Sequence, residues 1–197
     1  MKREFAALSH IPLRPQTGFK HPPQPPELIH LDSPAVTVMT DFTFIHPVTA
    51  DPDTTIDNAL QRMKTAGVRL LLVTNEDQEI IGLVTAHDIM GEKPIKIIEE
   101  TRVQRSQIKV STIMTPQPDI PVLNMMSVRN AQVGHIIETL RQLERQHILV
   151  VEVDDTSRAQ RVVGMFSTSR VSKLLGVDVT EEIPPAHSLA EIVQQIR

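Results

Sequence analysis

The chain has 197 residues, 40% of them hydrophobic, with no cysteine, tryptophan or tyrosine and a formal net charge of -4. Acidic residues outnumber basic ones by 24 to 20 and no basic block stands out, which speaks against a general nucleic-acid binder. Without cysteine there is no disulfide and no thiolate metal site, and no apolar run approaches the ~18 residues of a membrane span, so a soluble, cytoplasmic protein with no membrane association is expected.

Residues 1–35 carry seven of the fifteen prolines and almost no periodic pattern, which predicts an extended arm. The stretch HPPQPP admits two readings, a docking peptide for a partner or a plain leader lying on the surface. From Val36 the pattern becomes regular. PVTADPD reads as an edge strand and a proline turn, after which Thr54 or Thr55 caps a helix running to about Ala66, with Ile56, Ala59, Leu60 and Met63 on one face and Gly67 at its end. Leu70–Val73 and Ile80–Val84, separated by the turn formers Asn75, Glu76, Asp77 and Gln78, read as a hairpin whose second strand delivers Thr85 and Asp88 to a helix mouth. That helix is expected to be short, because Gly91 and Pro94 follow, with a further turn or two over Ile95–Arg102.

The pattern then returns. Met39-Thr40 matches Met114-Thr115 at an offset of 75, and Ile56, Ala59, Leu60 and Met63 match Val133, Ile136, Ile137 and Leu140 at 77. Val73 matches Val151 at 78 and Gly82 matches Gly164 at 82, so insertions fall between elements, as in a duplicated fold. Val133–Leu143 is the long helix of the second copy, and the loop PQPDIPVLNMMSVRNAQ before it is longer than its counterpart, so the second site's mouth should be built differently. Past Gly176, Pro184-Pro185 starts a new unit. Ser188 and Glu191 form a capping box for a terminal helix carrying Leu189, Ile192, Val193 and Ile196 along one side.

The ordered set of an MT dipeptide, VTADPDTTIDNAL, VRLLLV and IIGLVTAHDIM, matched more loosely in the second copy so that the whole spans roughly residues 36–178, resembles the cystathionine-β-synthase (CBS) domain, and two in tandem resemble a Bateman module. The alternation of hairpins and helices by itself gives only an α+β class. The resemblance implies two CBS-type β-α-β-β-α repeats packed through their sheets about a pseudo-twofold axis. It divides the chain into a Pro-rich arm (1–35), a first CBS domain (36–111), a second (112–178) and a C-terminal helix (179–197).

Asp88 heads the candidate site residues. A carboxylate has two acceptor oxygens, which suit the vicinal hydroxyls of a ribose and repel a phosphate. In the resembled family the Thr and Asp of this motif are associated with nucleotide binding, and both are present as Thr85 and Asp88; the alternative is that they only cap a helix. Arg69 stands before the first hairpin strand and His147 is its counterpart. The resemblance implies a basic residue reaching ligand phosphate from this place, against an exposed strand-end residue in a salt bridge. The resemblance implies that Thr115, from the start of the second copy, lines the Asp88 cleft. In the second copy Thr85 becomes Ser167 and Asp88 becomes Arg170; a guanidinium has no acceptor, so this degenerate cleft is expected to be empty or to hold a simple anion.

No cysteine nucleophile, HExxH, Gly-rich phosphate loop or GxSxG is present, and no two histidines stand at metal-ligand spacing, so neither catalysis nor a metal site is expected. The function expected is a stand-alone regulatory module. It would bind an adenine nucleotide such as AMP, ADP or ATP without an obligatory cofactor, form a homodimer and signal to a regulated protein partner. The alternative is a ligand-free interaction scaffold using the Pro-rich arm and the terminal helix; a weak hydrolase comes third.

Overall fold

The computed structural model describes residues 12–15, 17, 28–154 and 156–179. The terminal helix expected beyond residue 179 and most of the Pro-rich arm lie outside these residues. In chain order the regular elements are β1 (Thr40–Asp41), β2 (Thr49–Ala50), α1 (Ile56–Ala66), β3 (Leu70–Thr74), β4 (Ile80–Thr85), α2 (Ala86–Met90), α3 (Glu92–Thr101), α4 (Val110–Ile113), β5 (Thr115–Pro116), β6 (Val122–Asn124), α5 (Met125–Arg129), α6 (Val133–Gln142), β7 (His147–Val153), β8 (Gln160–Ser167) and α7 (Thr168–Leu175). The class is α+β, with two four-stranded sheets and helices on their outer faces.

The helices form where caps and apolar spacing coincide. Thr55 accepts from the Asn58 N–H at the start of α1, and Gly67, at φ 67°, supplies the left-handed residue that ends it. Ile56, Ala59 and Met63 are buried on one face of α1, and Val133, Ile136, Ile137 and Leu140 on one face of α6. One expectation is corrected downstream. Pro94 does not break the helix after Asp88: it sits in the first turn of α3, where a missing N–H costs nothing, and α3 then runs ten residues. The loop before α6 also holds more structure than the sequence suggests, a short strand (β6) and a five-residue helix (α5) capped by Asn124.

Strand burial explains how the repeats stack. In β3, Leu71 and Val73 join Ile56, Ala59 and Met63 in the core of the first repeat, while Leu70 and Leu72 point the other way. In β7, Ile148 and Val150 join the second repeat's core and Leu149 meets Leu70 and Leu72 between the sheets. Period-two alternation therefore buries both faces of these strands, which is why they read as unbroken apolar runs.

The two repeats also exchange their lead-in segments. One sheet has the order β2-β3-β4-β5 and the other β1-β8-β7-β6, so β5, which begins the second copy, pairs with β4 of the first, and β1, which begins the first copy, pairs with β8 of the second. The glycines of the matched motifs make this possible. A Cβ on Gly82 would stand 2.6 Å from Met114 Sδ and 2.9 Å from the Thr115 carbonyl oxygen; one on Gly164 would stand 2.7 Å from the Thr40 carbonyl oxygen and 3.0 Å from Met39 Sδ. Main-chain bonds reinforce the exchange at the helix starts. The Ile56 N–H donates to the Ile108 carbonyl (3.0 Å), and the N–H groups of Val133 and Gly134 donate to the Ser33 and Leu31 carbonyls (2.9 Å each). Each long helix thus has N-terminal N–H groups satisfied by the other copy's approach segment.

Candidate functional site

The crossing of β5 onto β4 builds a cleft of about 640 Å³ between the two repeats, a volume in the range of small-molecule sites. Leu70 and Leu83 of the first repeat and Ile120 and Leu149 of the second give it apolar walls. Thr85, Asp88 and His147 line it too, with Thr115, which pairs with Leu83 across β4 and β5. Four of the five candidate residues thus line one space although they are drawn from both copies.

Thr85 is the N-cap of α2 and forms a reciprocal capping box with Asp88. The Asp88 N–H donates to Thr85 Oγ1 (3.2 Å), while Asp88 Oδ2 accepts from the Thr85 N–H (2.9 Å) and hydroxyl (2.6 Å). The other oxygen, Oδ1, is 2.6 Å from Lys93 Nζ. The carboxyl is only 12% exposed, so the cap holds it in place at the cleft wall. One carboxylate oxygen thus serves the cap of α2 and the other pairs with Lys93.

His147 opens β7 opposite Ser167 and is partly buried. Burial, with the positive charge of Arg69 assisting and the Asp88 carboxylate opposing, pulls its pKa from 6.5 down to about 4. At neutral pH it is an uncharged imidazole, able to donate one hydrogen bond and accept another but bringing no charge to a phosphate. Arg69, the fifth candidate, is not part of the cleft lining; it is exposed and its Nη1 lies 3.5 Å from Ser169 Oγ on α7.

The pseudo-symmetric position in the second repeat is chemically different. Ser167 caps α7, accepting from the Arg170 N–H (3.3 Å), and the Arg170 Nε donates to the Val38 carbonyl (3.1 Å). The place taken by a carboxylate at Asp88 is held here by a guanidinium bonded to the first copy's lead-in segment. Sequence reasoning missed Lys93, which follows Asp88 by five residues across a helix break, outside the three- and four-residue spacings that signal a helical pair. Among the described residues no group of three His, Asp or Glu side chains is placed to hold a metal ion, and no helix is long and apolar enough to cross a membrane.

Comparison with known proteins gives this geometry a context. Residues 35–94 match the family model described as the CBS domain. An uncharacterised conserved protein of Pyrococcus horikoshii is similar at 22% identity and a TM-score of 0.51, over 74% of this chain and 93% of that one. A CBS-domain-containing protein of Agrobacterium tumefaciens is similar at 19% identity and a TM-score of 0.51, over 70% and 93%. A Methanocaldococcus jannaschii protein proposed as an archaeal homologue of γ-AMPK is similar at 23% and 0.51, over 71% of this chain and 49% of its own. A curated relative is a homoserine O-acetyltransferase of Methanosalsum zhilinae, 25% identical over 138 residues, which are 70% of this chain and 24% of that protein. The chain therefore spans about a quarter of the length of the curated relative it matches. Residues 35–94 thus match the CBS domain, and the fold of a CBS-domain-containing structure extends across both copies of the repeat.

Proposed function

We propose that the cleft at Asp88 binds an adenosine compound, in the first place an adenine nucleotide, and that the module reports its occupancy to a protein partner. The observation that carries this reading is the convergence of a fixed carboxylate, Asp88, with Thr85, Thr115 and the neutral His147 around one cleft that also offers the apolar side chains of Leu70, Leu83, Ile120 and Leu149 and the cations Lys93, Lys96 and Arg145. Asp88 would accept the ribose hydroxyls, Leu70, Leu83, Ile120 and Leu149 would flank the base, and His147 and Thr115 would donate to the remaining polar atoms. Arg69 would act from the rim, through its field at His147 or by swinging from Ser169 toward a phosphate. The degenerate cleft at Ser167 and Arg170 would hold no nucleotide in this pose, since Arg170 offers donors only.

A regulatory role is favoured over catalysis by the CBS-domain match over residues 35–94. The curated relative, named for an enzyme of which the matched stretch is 24%, supports a module that acts on a catalytic partner. We further propose a homodimer of Bateman modules, since isologous pairing is the commonest closed assembly. Light scattering should give about twice the 22.1 kDa of one chain at micromolar concentration, and a single-chain mass would refute it. The ligand reading is tested by mass spectrometry of small molecules released from the denatured protein, together with calorimetric titration of adenosine, AMP and ATP. Binding of at least one of these by the wild type, weakened in Asp88→Ala, is expected; equal affinity in the variant would remove Asp88 from the site.

A further inference from the structure

We propose that Lys93 competes with the ligand's diol for Asp88 and is the cation a bound ribose displaces, so that the cleft distinguishes a vicinal diol from a single hydroxyl through this ion pair; the proposal rests on the adenosine reading of the cleft given above. A carboxylate offers about four lone-pair sites. Asp88 Oδ2 spends two on the Thr85 N–H and hydroxyl, at 2.9 and 2.6 Å, and Oδ1 spends one on Lys93 Nζ at 2.6 Å. One site remains, whereas a ribose brings two donors. A single hydroxyl can be received with the lysine in place; two can be received only if the ammonium moves off.

The surroundings make the lysine the partner that yields. Asp88 is 12% exposed and tied into the cap of α2, while the Lys93 side chain is 48% exposed on a flexible stem and can pass into water. Lys93 also stands in the first turn of α3, where the helix dipole disfavours a cation, so its position is accounted for by Asp88 and not by its own helix. Its ammonium makes a second bond, to the Ile113 carbonyl at 3.0 Å. Ile113 ends α4 and is followed by Met114 and Thr115, the segment that crosses onto β4 and lines the cleft. Displacing Lys93 therefore unfastens α3 from the end of α4, two residues ahead of β5, which couples diol binding to that junction.

The test is a calorimetric comparison of adenosine and 2′-deoxyadenosine on the wild-type chain and on Lys93→Met and Lys93→Ala, neither of which keeps a side-chain donor, with thermal melts confirming that the variants fold. Both neutral variants should bind adenosine about three- to ten-fold more tightly, and 2′-deoxyadenosine with less than about a two-fold change. Lys93→Arg, which keeps a competing cation, should show no gain for either probe. Equal gains for both probes, or no gain for adenosine while its binding still depends on Asp88, would overturn the displacement and leave the adenosine reading standing. Absence of adenosine binding in the wild type and both neutral variants would overturn both.

Discussion

Substituting Gly82 by Ala probes the exchange of lead-in strands, the feature on which the cleft depends. The added methyl would stand 2.6 Å from Met114 Sδ, 3.2 Å from Met114 Cγ and 2.9 Å from the Thr115 carbonyl oxygen. The thioether can swing away, but the carbonyl belongs to β5, held in register by the pairing of Gly82 with Pro116 and Leu83 with Thr115. Overpacking of this kind costs about 1–3 kcal/mol, more than the ~0.5–1 kcal/mol that Ala ordinarily gains over Gly inside a regular element. For a chain of this size each kcal/mol lowers the melting temperature by roughly 2–4 °C. Urea unfolding should therefore show a lower midpoint for Gly82→Ala. Gly164→Ala should behave alike, since its methyl would meet the Thr40 carbonyl oxygen at 2.7 Å and Met39 Sδ at 3.0 Å. Adding Met114→Ala to Gly82→Ala should not restore stability, because the Thr115 carbonyl remains. Unchanged or raised midpoints for both single variants would refute the close crossing of β5 over β4 and of β1 over β8.

Three further outcomes follow from the site. Because His147 takes up its proton at about 4 in the folded chain and near 6.5 when unfolded, stability should be level above about pH 7 and fall as pH drops from about 6.5 to about 4, by up to ~3 kcal/mol in all; urea unfolding of His147→Gln should lack this slope. Arg69→Ala removes a positive charge that holds the imidazole neutral, so the His147 titration followed by NMR should move up from about 4, and a downward or absent shift would contradict the placement of Arg69 beside it. Asp88→Ala should lower stability by about 1–2 kcal/mol on its own account, since Thr85 loses the acceptor of its N–H and hydroxyl and Lys93 loses its ion pair; a neutral effect in urea unfolding would show that the capping box contributes nothing.

Much of this architecture could be read from the residues. The spacing of Ile56, Ala59 and Met63, the Thr55 cap and the Gly67 stop define α1 almost to the residue, and the turn formers Asn75–Gln78 place the hairpin of β3 and β4. The exchange of β1 and β5 was not legible from periodicity, because two-residue strands carry none; only the family resemblance pointed to it, by placing Thr115 of the second copy at the Asp88 cleft. At the site, Thr85 and Asp88 announced a helix mouth, and their counterparts Ser167 and Arg170 announced the asymmetry. What the sequence could not convey is which oxygen of Asp88 is committed. Lys93 reaches it across the break at Gly91, and only the direction in which α3 leaves α2 brings the two together. The neutrality of His147 was equally hidden, since it depends on burial between repeats and on the field of Arg69.

The central claim is that one adenosine-type ligand binds per chain, at Asp88, while the Arg170 cleft takes none. Equilibrium dialysis of AMP against the wild type and Asp88→Ala measures this directly. One AMP per chain in the high-affinity phase is expected, with affinity falling ten-fold or more in the variant through loss of hydrogen bonds to a charged acceptor, worth roughly 1.5–3 kcal/mol each. Two equal and independent sites per chain, or one site whose affinity Asp88→Ala leaves unchanged, would contradict it.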